Sequence, residues 1–169
     1  WRRWACPSTC GAAAHAANPG ARYFAEVHYV TTDESSDARR NNCSYREVLV
    51  GAISGGGYPL TFTGGTVPMK AAIEAWKIIE PTVQLTTLDI PGDGRIWIAS
   101  KATDLGGGTW QYEYAVYNHN SNLSVGGFSV PKAASVSASS VGFHDVNYHS
   151  GEPYSGTDWT GVVNADDVS

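Results

Sequence analysis

The densest run of groups able to do chemistry is His144-Asp145-Val146-Asn147-Tyr148-His149-Ser150-Gly151-Glu152-Pro153-Tyr154, followed by Asp158 and Trp159. Its imidazoles and carboxylates are the ligand types of a divalent cation. Imidazole suits zinc and carboxylate oxygen suits calcium, so Asp145, His149 and Glu152 form a candidate metal set with Ca or Zn as cofactor. The same side chains allow a second chemistry. Glu152 with Asp145 or Asp158 supplies a general acid and base for a glycosidic bond. With His149 added, Glu152 and Asp145 make the catalytic set of a polysaccharide-active hydrolase or lyase, possible only if the groups converge. A third reading is binding without catalysis: Tyr154, Trp159 and Trp110, with His144 beside them, stack on the apolar faces of sugar rings. The plain alternative is a loop held by its own hydrogen bonds, its Tyr and His packed against the end of the domain.

Spacing limits what these residues can do together. On a straight strand Asp145 and His149 share a face about 13 Å apart, too far to act on one atom. Gly151 permits a sharp turn and Pro153 fixes the exit, so a bend there is what would gather His149 and Glu152.

The cysteines leave two readings open. Cys6, Cys10 and Cys43, with His15, offer four soft ligands, but the spacing of the first pair is not the two-residue knuckle of a zinc site. One disulfide with a spare thiol, or three free thiols, is the alternative, and a disulfide through Cys43 suits an exported protein. Single histidines at His28, in a strand, and His119, in a turn, read as hydrogen-bonded structural residues.

The elements that must position these groups are mostly strands. Residues 23–31 alternate, with Tyr23, Ala25, Val27 and Tyr29 as the expected core face and Phe24, Glu26, His28 and Val30 opposite. Further strands are expected over 44–53, 60–63, 83–90, 95–101, 109–117, 125–130 and 141–148, with a short one near Val162. Pro91-Gly92-Asp93-Gly94 is a strong turn signal, residues 104–108 a loop, and 118–122 a turn of residues that tolerate left-handed geometry. One helix is expected over about 68–80. Val67 precedes it, Pro68 lies in its first turn, Pro81 stops it, and Met69, Ala72, Ile73, Trp76 and Ile79 form an apolar stripe that buries Trp76. Strands at roughly ten-residue spacing with a single helix predict an all-β fold, an antiparallel sandwich or jelly roll.

Size and composition agree with one domain over 21–169 after a linker-like or disordered segment 1–20. A chain of 169 residues can bury about two-thirds of its unfolded surface. Charged residues are only 16% and the net charge is −5, so no basic face exists to neutralise phosphates and a nucleic-acid partner is excluded. No apolar run approaches the ~20 residues of a membrane span. The chain opens on Trp1 rather than Met, the start expected of a processed product or fragment.

Four segments recur as a series: Asn41-Asn42-Cys43-Ser44-Tyr45-Arg46-Glu47-Val48, Gly92-Asp93-Gly94-Arg95, Tyr112-Glu113-Tyr114-Ala115-Val116-Tyr117-Asn118, and residues 142–154. Together they resemble a domain of exported bacterial proteins of uncharacterised function, over roughly Arg22 to Trp159. The strands around Asn118 to Ser121 are also similar to hairpins of Ig-like modules in bacterial surface proteins. The resemblance implies a β-sandwich and a secreted or cell-surface location, and assigns no chemistry. Its members continue past the equivalent of Trp159, which implies truncation at the C-terminus. The expected function is an extracellular non-catalytic module, structural or glycan-binding, with an extracellular glycan or cell-surface polymer as partner. An exposed aromatic platform is its requirement, and burial of Trp97, Trp110 and Trp159 together would remove it.

Overall fold

Residues 20–29, 42–52, 58–143 and 157–169 are described by the computed structural model. Among the described residues the chain is all-β with one short helix, in antiparallel sheets that do not close into a barrel. It divides into two units, Trp1–Ser124 and Val125–Ser169.

Among its described residues the first unit holds two sheets. β1 (Tyr23–His28) pairs with β2 (Cys43–Val50), which pairs further with β3 (Leu60–Phe62) and β4 (Val67–Pro68). The second sheet is a meander of β5 (Gln84–Asp89), β6 (Arg95–Gly106) and β7 (Thr109–Asn118), following the α-helix α1 (Ile73–Ile79). Long alternating segments with strong turn residues between them fold as the period-two pattern requires. β6 and β7 run further than expected, since only Gly106, Gly107 and Gly108 are needed to reverse the chain. All three have positive φ (83°, 62° and 79°), a conformation glycine enters without a Cβ clash.

The turn between β5 and β6 is locked to the turn after β7. The Asp93 carboxylate accepts hydrogen bonds from the Ser121 hydroxyl and from the backbone N–H of Asn122 at 2.8 Å. Arg95 N–H donates to Asn120 Oδ1 at 2.8 Å, and His119 N–H donates to the Arg95 carbonyl at 3.0 Å. Two of the segments singled out in the sequence, 92–95 and the residues just after 118, therefore form one interlocked corner. The Ser121 hydroxyl, followed by the Asn122 and Leu123 N–H groups, holds the Asp93 carboxyl below its ordinary range. A carboxyl depressed in the folded state adds stability above its unfolded pKa of about 3.9, and that contribution is lost as pH falls through the folded value. Asp93→Asn is therefore less stable than the parent at neutral pH. The gap between their melting temperatures narrows on acidification through that window, as thermal scans at a series of pH values will record.

Two expectations are corrected here. On β1 the buried face is the polar one: Glu26 is buried while Val27 and Tyr29 are 55% and 67% exposed. Both faces carry apolar residues, and what decides between them is the set of partners waiting for the carboxylate. Ala72 N–H donates to Glu26 Oε2 at 2.5 Å, and the Tyr117 hydroxyl donates to Oε1. A buried polar group with partners is tolerated where an unpaired one is not.

The helix is also shorter than the 68–80 expected. Val67 and Pro68 are drawn into the sheet as β4, opposite Tyr45 and Ser44, and Met69 turns the chain with φ 57°. The N–H groups of the two residues leading into the helix are met by carboxylates: Glu26 at Ala72, the N-cap, and Glu74 at Ala71 at 3.0 Å. Ala71 and Ala75 are the buried residues, Met69 and Ile79 are exposed, and Trp76 is only half-buried. Trp76→Ala should cost about 1–2 kcal/mol by denaturant unfolding, below the roughly 3–5 kcal/mol of a fully buried ring.

In the second unit β8 (Val130–Pro131) pairs antiparallel with β9 (Asp167–Val168), and an isolated bridge joins Val163 to Val168. Of the strand expected over 125–130 only Val130 belongs to a strand, and residues 141–143 are not in one. The stretch is rich in Gly and Ser, which have little side chain to pack on a sheet. The rest of the strand expected over 141–148 lies outside the described residues.

Candidate functional site

His144, Asp145, His149, Glu152 and Tyr154 lie outside the described residues, and with them the metal set and acid–base set expected there. Cys6, Cys10 and His15 lie outside them too. Cys43 is buried and makes no disulfide. Burial, with the charges of Glu26 and Glu74 adding to it, pushes its thiol up to about 12, so it stays protonated and unreactive at neutral pH. Of the readings open for the cysteines, a free thiol is the one Cys43 adopts.

Trp159 is exposed in the second unit, where it stacks on Phe143 at 4.8 Å and lines an open depression of about 390 Å³ with Phe128 and Gly126–Ser129. Asp158 is exposed.

Trp110 occupies a more organised position. Trp110, Tyr112 and Tyr114 alternate along β7 and so project from one face of the strand. They are 50%, 60% and 39% exposed. Their direct neighbours on β6 are Asp104, Ala102 and Ser100, all too short to cover an aromatic ring. The result is a ladder of three rings spanning about 13 Å along the strand, with a carboxylate and a hydroxyl beside it. Burial pushes the Tyr114 phenol up and the neighbouring Tyr112 adds to the shift, as expected of rings set side by side. Of the three, only Trp110 is among the sugar-stacking candidates read from the sequence. The signal that completes the ladder is the alternation within 109–117 itself, two tyrosines at two-residue steps after a tryptophan.

The opposite face of β7 builds a second cluster. Tyr117 is odd-numbered like His119, so both point away from the ladder, toward β1. There the ring of His28 stacks on that of His119 at 4.3 Å, and Tyr117 packs edge-on against His119 at 5.9 Å. Glu26, two residues before His28, completes the group. The potential ligand atoms of Glu26, His28 and His119 all lie within 4.8 Å of one another, with Glu26 and His119 buried. Each histidine is isolated in the sequence and read there as structural; only the meeting of β1 with the turn after β7 brings them together.

Comparison with protein-family models, with curated proteins and with solved structures finds no match to this chain.

Proposed function

We propose that this protein is an extracellular, non-catalytic β-rich module that binds a neutral polysaccharide along the outer face of its β6–β7 hairpin. The observation that carries the reading is the exposed Trp110–Tyr112–Tyr114 ladder. Large aromatic side chains left in water in a row are costly unless something covers them, and a sugar presents the matching combination of an apolar C–H face and hydroxyl edges. Three stations in a line suit a polymer rather than a single ring. Asp104 and Ser100, opposite Trp110 and Tyr114, supply an acceptor and a hydroxyl for sugar hydroxyls. The carboxylate beside the ladder and the net charge of −5 disfavour an anionic polymer.

Retention of the full chain on a panel of immobilised insoluble and gel-embedded polysaccharides tests this. Selective retention by one or more neutral polymers, insensitive to added salt, is the expected result. Retention only by anionic polymers, abolished by salt, would contradict it, as would no retention by any polymer.

A further inference from the structure

The Glu26–His28–His119 cluster, in which Glu26 and His119 are buried, has no part in sugar binding, because it lies on the other face of β7 from the ladder. Its donor set is specific. Two imidazoles and one carboxylate are the protein ligands of open zinc and related divalent sites, and three ligands leave room for water in the coordination sphere. The ligand atoms already lie within 4.8 Å of one another, and rotation of the two stacked rings out of their parallel arrangement is what would bring all three to one ion. The carboxylate is held as metal-bound carboxylates usually are, with each oxygen fixed by a donor: Ala72 N–H on Oε2 and the Tyr117 hydroxyl on Oε1. The main chain at His119 is fixed by its backbone N–H, which donates to the Arg95 carbonyl at 3.0 Å. We propose that Glu26, His28 and His119 bind one divalent transition-metal ion, zinc in the first instance, and that the ion clamps β1 to the end of β7.

The experiment uses the full chain, stripped with chelator and titrated with zinc and with cobalt(II). One ion per chain is expected at this site, with a thermal midpoint that rises with zinc concentration because the ion binds only the folded state. His28→Gln and His119→Gln each lose that uptake, whereas His144→Ala/His149→Ala and Cys6→Ser/Cys10→Ser retain it. Uptake that survives both glutamine variants, uptake abolished by either comparator pair, or no uptake at all overturns the proposal. Should a glutamine variant fail to fold, the parent protein decides the matter alone. Cobalt(II) must broaden the amide resonances of Glu26, Ala72 and His119 first, and broadening centred elsewhere overturns the assignment.

Discussion

Trp110→Ala and Tyr112→Ala each lose about tenfold in affinity for the bound polysaccharide, equivalent to about 1.4 kcal/mol, with little change in stability. The magnitude follows from truncating an exposed ring in a small binding platform, where a few aromatic residues carry most of the energy. The ring's apolar face is what the sugar's C–H groups cover, and alanine leaves nothing for them to rest on. Stability is nearly untouched because these rings are 50% and 60% exposed, and surface substitutions away from packed features stay within about 0.5 kcal/mol. Trp159→Ala, in the second unit, leaves affinity unchanged. Affinity electrophoresis of the three variants in polysaccharide gels, with melting curves alongside, checks both halves of the expectation.

Gly94→Ala is the substitution expected to damage the fold most. A Cβ at this position meets the Asn120 carbonyl carbon and oxygen and the Ser121 nitrogen, each at 2.6 Å. Those are backbone atoms of the interlocked corner, so no side chain can swing aside. Overpacking of this kind costs about 3 kcal/mol, and in a domain of this size that lowers the melting temperature by roughly 6–12 °C. The corner also sets the position of His119 through the Arg95 carbonyl, so the same variant should weaken zinc-dependent stabilisation. Calorimetry with and without zinc separates the two effects. Gly92→Ala next door is a useful contrast, since it meets no atom within 4 Å and is strained only by its φ of 74°.

Legibility in the sequence follows how local each determinant is. The meander β5–β6–β7 could be read because alternation and strong turn residues lie within the segments themselves, at Pro91-Gly92-Asp93-Gly94 and at Gly106-Gly107-Gly108. The start of the helix could not. Val67 and Pro68 have a local preference compatible with a helical first turn, yet pairing with Tyr45 and Ser44 on β2 takes them into a sheet. The buried face of β1 is not legible for a related reason. Tyr23, Ala25, Val27 and Tyr29 look like a core face, and the partners that bury Glu26 instead come from Ala72 and Tyr117, far along the chain. His28 and His119 carry no mutual signal at all, because the pair exists only once two sheets meet. The ladder lies between these cases: its alternation is local, but the short residues on β6 that leave the rings uncovered become known only with the register of the hairpin.

The most direct test of polysaccharide binding on the β6–β7 hairpin is contact between sugar and ring. A soluble oligosaccharide of the retained polymer, added to protein isotope-labelled in Trp and Tyr, should give intermolecular nuclear Overhauser effects from sugar C–H protons to the rings of Trp110, Tyr112 and Tyr114. Effects confined to Trp159 or Tyr154, or saturable binding with no contact to the three ladder rings, would contradict it.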